Sequence, residues 1–294
     1  MSDKLNFLPA SLNRLPSYKL LELEGPDVVA FIQAQSMNDV KALADGQWHW
    51  NGLLNPKGRL IALFVLVRIR ADLLYLLLPD FSAEKMAAHL QRFIFRSKVR
   101  LIQNNDKVFA GEFNHDSNPV LKRDFISGTP EHALALDFSS DSLQRSLWIL
   151  PSSLASDVLH SDVIEALWRD ADIQHGLPRL SETQTELWTP QMLSLERLNA
   201  FSLKKGCYPG QEIVARTHYL GQAKRQTRLV QADHLSLEAP LYRGTERVGE
   251  LICINSALSV GLAVLQSIND SDLLLSGQNR VNQLQVLTGL QRPA

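Results

Sequence analysis

The most apolar stretch of this chain, residues 60–78, constrains its fold more than any other. It is long enough to suggest a membrane span, but Arg68, Arg70 and Asp72 fall at its centre, where charge is most expensive in hydrocarbon. Read as two apolar runs joined at Arg70-Ala71-Asp72, it becomes a hairpin of two strands. Around it the pattern alternates between sheet and helix. Residues 18–23 read as a strand that Glu24-Gly25-Pro26 turns into a helix with Val28, Val29, Phe31 and Ile32 on one face. Trp48-His49-Trp50 opens another strand, closed by the turn Leu54-Asn55-Pro56-Lys57-Gly58-Arg59. Ser82 is placed to cap a helix carrying Met86, Ala87, Leu90, Phe93 and Ile94 at helical spacing, and residues 99–102 follow as a strand.

That order predicts an α+β layer rather than a doubly wound sheet. Residues 103–130 are polar and turn-rich and read as a connector with one or two short strands. Residues 147–150 form a strand, and Val163, Ile164, Leu167, Trp168 and Ala171 mark an amphipathic helix ending at Gly176, with Pro178 beyond. Residues 181–189 form a polar loop placed to act as an opening or lid. From Gly221 onward, short β-rich runs (225–230, 247–254, 258–264, 273–275, 281–287) separated by turns predict a small antiparallel barrel or sandwich.

Composition narrows the class of protein. The 294 residues suffice for two or three packed units, and a net charge of −1 excludes nucleic-acid binding by bulk charge alone, leaving room for a local basic patch. Two cysteines, Cys207 and Cys253, make neither a disulfide framework nor a zinc site and fit a reducing compartment. Residues 1–10 carry Asp3 and Asn6 with no continuous apolar run, so no secretory leader and a cytoplasmic location are expected. No Gly-x-Gly-x-x-Gly or phosphate-loop motif is present, and the eight histidines show no metal-ligand spacing.

The chemistry concentrates in Lys204-Lys205-Gly206-Cys207-Tyr208-Pro209-Gly210-Gln211-Glu212, followed by a short helix through Arg216 to Tyr219. Two glycines and a proline within five residues bend the backbone around Cys207. Lysines before it and a helix N-terminus after it both favour a thiolate. A lone cysteine is ordinarily a small apolar core residue, but its neighbours here favour an accessible, functional sulfur. His218 is a possible partner, or simply an exposed residue at the helix end. Lys204, Lys205, Arg216, Lys224, Arg225 and Arg228 form the densest basic region, read equally well as a solvated face or as an anion site. Trp168 and Tyr18 are each read as core residues or as an aromatic pair suited to a flat heteroaromatic ring.

Lys205-Gly206-Cys207-Tyr208-x-Gly210-Gln211-Glu212-x-x-x-Arg216 closely resembles the signature of the YgfZ family of folate-binding proteins, relatives of the glycine-cleavage T-protein (aminomethyltransferase) and of mitochondrial iron–sulfur assembly factors. Phe31-Ile32-Gln33-x-Gln35 with Asp39-Val40, Lys57-Gly58-Arg59 and Gly176-x-Pro178 add support. The resemblance implies a folate-binding α+β region of two interleaved subdomains, residues 1–220, closed by a C-terminal antiparallel β-barrel, residues 221–294, around a central hole. It implies tetrahydrofolate as cofactor, iron–sulfur client enzymes as partners, a role in tRNA modification of the methylthio type, and no membrane. By position it makes Trp168 and Tyr18 folate-contacting residues and Lys205 with Cys207 the functional pair; Gly206, Gly210, Gln211, Glu212 and Arg216 shape the site. Aminomethyltransferases of the T-protein type carry an acidic pair where this chain has Ala62 and Leu63, so an accessory protein is expected rather than an aminomethyl transferase. A one-carbon transferase using Asp39 or Glu212, and a tRNA-binding module using the basic region, are the alternatives.

Overall fold

The computed structural model describes residues 9, 11–113, 123–221, 224–237, 239–255, 259–266 and 273–292. The N-terminal reading, apart from Pro9, lies outside them, as do residues 114–122 of the expected connector and Leu258. In chain order the first half forms β1 (Asn13–Arg14), β2 (Tyr18–Glu24), α1 (Val28–Gln35), β3 (Trp48–Leu54), β4 (Leu60–Arg70), β5 (Leu73–Pro79), α2 (Ala83–Gln91), β6 (Arg100–Gln103) and β7 (Lys107–Phe113). Next come β8 (Ser127–Gly128), β9 (Leu134–Asp137), β10 (Arg145–Pro151), α3 (Asp162–Gln174) and α4 (Gln211–Leu220). The last part holds β11 (Arg225–Gln231), β12 (Pro240–Arg243), β13 (Glu246–Asn255), β14 (Val260–Gln266), β15 (Leu274–Ser276) and β16 (Asn279–Leu284).

The apolar run at 60–78 is the expected hairpin, β4 and β5, and the structure buries it on both faces up to Val67 in β4 and throughout β5. Side chains alternate across a strand, and the two faces serve different cores. Leu63, Val65, Val67, Tyr75 and Leu77 point to a central core, while Ala62, Phe64, Leu66, Leu74 and Leu76 pack under α1 and α2. The first sheet runs β3-β4-β5-β2-β6 and is antiparallel throughout. Ser82 caps α2 as expected, accepting from the Lys85 amide at 3.2 Å.

The second sheet, β1-β7-β10-β9-β8, takes its edge strand from before the first sheet in the chain, so the two are interleaved. Its second strand, β7, lies between β1 and β10 and falls where the sequence reads as connector. The pattern is masked because Glu112 is buried and accepts a hydrogen bond from Ser146. Gly111 masks it further: a Cβ there would lie 2.6 Å from the Trp168 ring. Strands β11-β14-β13-β12-β15-β16 close into a six-stranded antiparallel barrel. Leu229, Ile252, Cys253, Leu262 and Val264 face out of the barrel into the central core, which all three units share. Beyond β16 the chain returns to the α+β body: Trp50 donates to the Leu290 carbonyl at 2.7 Å and Asn199 to that of Arg292 at 2.7 Å. Among the described residues no helix is long and apolar enough to cross a membrane.

Candidate functional site

The segment leading to Cys207 is stitched to the end of α1 before it reaches the surface. The Ser202 amide donates to the Met37 carbonyl at 2.9 Å, and Ser202 Oγ accepts from the amides of Lys204 and Lys205. Lys205 then turns inward. Its ammonium donates to the carbonyls of Gln33, at 2.5 Å, and Ser36, at the C-terminal end of α1, and lies 4.8 Å from the centre of the Tyr208 ring. A cation suits the negative end of a helix. Burial nevertheless lowers the Lys205 pKa to about 8, and the Asp39 carboxylate offsets only part of that. Beneath it His49 is held neutral, its pKa lowered to about 3 by burial and then by the Lys205 charge.

The turn after Cys207 is shaped by another part of the chain. Gly210 adopts φ +78°, and a Cβ there would fall 2.6 Å from the Asn55 carbonyl oxygen and 2.7 Å from Gly58 Cα. Gly58, at φ +70°, likewise leaves room for Ile213, whose Cβ would be 2.8 Å away. Lys57-Gly58-Arg59 and Gly210-Gln211, far apart in sequence, thus meet backbone to backbone. Gln211 Nε2 closes the loop on the Lys205 carbonyl at 3.3 Å. Gly206 differs: it has no positive φ, and nothing lies within 4 Å of a Cβ built on it. The bend therefore needs only one of its two glycines for conformation, and the other opens space beside Cys207.

The Cys207 sulfur belongs to an exposed residue just before α4, as do Lys204, Glu212 and Arg216 in or near the loop. Lys205 is aimed away from that surface. His218 is exposed, packed edge-on against Tyr219 at 5.0 Å. The basic region divides: Lys204, Arg216 and Lys224 are exposed, Lys205 is interior, and Arg228 borders a cleft of about 570 Å³ with Arg197. Cys253 is buried in β13, and burial raises its thiol pKa to about 11.

Tyr18 and Trp168 are brought together deep in the central core. Trp168 Nε1 donates to Tyr18 Oη at 3.3 Å. The Arg145 guanidinium covers Trp168 at 4.7 Å, the Arg179 guanidinium covers Tyr18 at 5.2 Å, and neither ring is more than 3% exposed. The two arginines belong to a buried chain of charge that sequence reasoning missed. Arg145 pairs with Asp172 at 2.7 Å, Asp172 with Arg179 at 2.7 Å, Arg179 with Asp80 at 2.6 Å, and Asp80 with Arg169 at 2.9 Å. One signal was present: Asp172 stands four residues after Trp168, on the apolar face of α3. Asp80, Arg169, Arg179 and Glu182, with Leu237, Ile252 and Cys253 of the barrel unit, line a cleft of about 330 Å³ where the units meet.

No family model matches the chain. An uncharacterised protein of Haemophilus influenzae is 29% identical over 283 residues, covering 93% of this chain and 94% of that protein. The tRNA-modifying protein YgfZ of Edwardsiella ictaluri is 27% identical over 288 residues, covering 90% of this chain and 86% of its own. The tRNA-modifying protein YgfZ of Aliivibrio fischeri is 30% identical over 233 residues, 75% of this chain and 70% of that protein. The chain belongs to the YgfZ family. The glycine cleavage system aminomethyltransferase T of Bartonella henselae shares the fold, with a TM-score of 0.72 over 95% of this chain and 85% of that one, at 15% identity.

In this YgfZ-family chain, the positions expected to be acidic in an aminomethyltransferase of the T-protein type are buried and apolar. Ala62 and Leu63 lie on β4 against Pro79, Phe81, Pro178 and Leu180, leaving a void of only about 10 Å³. Asp39 accepts hydrogen bonds from Gln33 and from the Lys41 amide, and Glu212 is exposed on α4. Neither lies in the cleft between the units.

Proposed function

We propose that this chain is a tetrahydrofolate-binding accessory protein that supports iron–sulfur enzymes acting in tRNA modification. The observation that carries the reading is an aminomethyltransferase-like fold that keeps a polar cleft between its units, has no carboxylate at Ala62 and Leu63, and presents one exposed cysteine on a tightly anchored loop. The YgfZ relatives, named as tRNA-modifying, supply the biological context.

The cleft fits the cofactor in volume and in chemistry. Its roughly 330 Å³ falls within the range of small-molecule pockets, about 300–1,000 Å³. Asp80, held by Arg179 and Arg169, and Glu182, paired with Lys85, would exchange those partners for the amino and ring N–H groups of a pterin; Leu237 and Ile252 supply apolar walls, and Arg169, released from Asp80, suits a glutamate carboxylate. Tetrahydrofolate, when bound, supplies one-carbon chemistry. Arg179 stands between this cleft and the Tyr18–Trp168 pair, so a pterin stacked on those rings requires that guanidinium to leave the Tyr18 face. Cys207 lies on the outer surface and serves a partner protein in this reading, while Lys205 holds its loop to α1.

Tetrahydrofolate titration followed by tryptophan fluorescence tests the cofactor. A saturable change is expected, reduced by Trp168→Phe; no change at millimolar ligand refutes folate binding. In cells lacking the protein, the wild type should restore methylthio-modified nucleosides in tRNA and Cys207→Ala should not. Full restoration by Cys207→Ala removes the sulfur from the mechanism.

A further inference from the structure

The fold leaves one pinned and strongly cationic aromatic loop that the reading above does not use. Between α2 and β6 the chain reads Arg92-Phe93-Ile94-Phe95-Arg96-Ser97-Lys98-Val99. Phe95 is 90% exposed, more than any other large apolar side chain among the described residues, and Phe93 is 38% exposed. Exposure of this kind in a floppy loop would mean little, but this loop is locked. Ile94 and Val99 pack into the core beneath α1 and α2. The Lys98 amide donates to Asp27 at 2.7 Å, and the Lys98 carbonyl sits where a Cβ on Gly25 would be, 2.0 Å away. Phe95 is therefore held out into solvent by its own neighbours.

Its surroundings are cationic. Arg92, Arg96 and Lys98 are exposed, and their side chains have no ion-pair partner among the described residues. Nearby carboxylates are engaged: Glu24 pairs with Arg100, and Asp27 accepts the Lys98 amide. From Arg96 to Arg100 exposure alternates residue by residue, and Arg96 and Lys98 are both exposed close to Phe95 in the chain. Phe93 is already flanked by His89 at 5.4 Å and Arg92 at 5.5 Å, whereas Phe95 has no ring or cation partner among the described residues.

We infer that this loop is a docking surface for single-stranded RNA, with an unstacked base on Phe95 and phosphates on Arg92, Arg96 and Lys98. A rigid exposed aromatic flanked by cations is the arrangement that binds single strands without strict sequence preference. Single-stranded loops are also the parts of a folded RNA open to stacking. An anionic membrane is the less favoured occupant, because surface binding needs a broad amphipathic face and this loop offers one ring. The inference rests on the tRNA-modification reading only for the identity of the RNA, and it fails separately from it.

Fluorescence anisotropy with a labelled 12-nucleotide single-stranded RNA and with an unmodified tRNA transcript tests it on the full chain. The wild type should bind, more weakly as salt rises. Phe95→Ala should lose about tenfold in affinity and Phe95→Trp should keep it. The pair Arg96→Glu with Lys98→Glu should lose more, and flatten the salt dependence. Lys204→Glu with Arg216→Glu should change nothing. The inference is overturned if the wild type does not bind RNA, if Phe95→Ala binds normally, or if the Lys204/Arg216 variant is the one that fails. Phe95-dependent binding to phosphatidylserine vesicles without RNA binding overturns it in favour of a membrane. Should Phe95→Ala still restore tRNA modification in cells, the surface falls and the functional reading stands; RNA binding by a wild type that restores nothing gives the reverse.

Discussion

Gly206 and Gly210 flank the same cysteine, yet the structure assigns them opposite sensitivities to substitution. In Gly210→Ala the new methyl group meets two separate costs. At φ +78° a left-handed alanine costs roughly 1–2 kcal/mol relative to a helical or extended one. Its Cβ also falls 2.6 Å from the Asn55 oxygen and 2.7 Å from Gly58 Cα, both backbone atoms of a tight turn that can relieve the overlap only by moving as a unit. Overpacking of that kind costs roughly a further 1–3 kcal/mol, so about 2–5 kcal/mol is expected in all. At about 2–4 °C per kcal/mol for a chain of this size, the melting temperature should fall by about 4–20 °C. Gly206→Ala meets nothing within 4 Å and should melt within about 0.5 kcal/mol of wild type. Gly58→Ala should resemble Gly210→Ala, and the double variant should cost less than the sum, because both break the same contact. Scanning calorimetry of the four variants and the wild type at one pH decides the matter. A Gly210→Ala protein that melts with wild type, or a Gly206→Ala protein that loses as much, would refute the packing of the two turns. If Gly206→Ala melts normally but fails in cells, the open space beside Cys207 is where a partner sits.

Lys205 gives stability a pH dependence. Its folded pKa, about 8, lies below the ordinary lysine value of 10.5, so between these pH values the unfolded chain holds more protons and stability rises with pH. The Lys205 contribution should be on the order of 2 kcal/mol from pH 8 to 10.5, read in urea titrations as the difference in slope between wild type and Lys205→Met, because the Cys253 thiol, raised to about 11, acts in the opposite direction over part of this window; identical slopes in the two proteins would contradict the buried position of the ammonium. Asp172→Ala leaves the guanidiniums of Arg145 and Arg179 buried without their shared carboxylate and should destabilise by about 3–5 kcal/mol, read as loss of soluble protein or a large drop in urea midpoint. Cys207→Ala removes an exposed sulfur and should leave the melting temperature within about 1 °C; a larger drop would mean that the sulfur is packed.

Much of the architecture was legible in periodicity. The hairpin of β4 and β5, the Ser82 cap, the end of α3 near Gly176 and most barrel strands follow from alternation, capping and turn residues, which act over a few neighbours. Strand β7 was not legible, because its Glu112 and Gly111 are chosen by what lies across from them, Ser146 and Trp168. Strand β12 is four residues long and bulged against β13, too short for alternation to register.

The site divides in the same way. The order of Lys205, Cys207 and Gly210 in the chain is enough to set a sharp bend before a short helix, because φ preferences and helix starts are local. Which lysine faces inward, which glycine is sterically required and which aromatics remain accessible depend on α1, the Asn55–Arg59 turn and the Arg145–Asp172–Arg179 chain. Those neighbours come from distant parts of the sequence, and only packing of the three units onto one core brings them within contact distance.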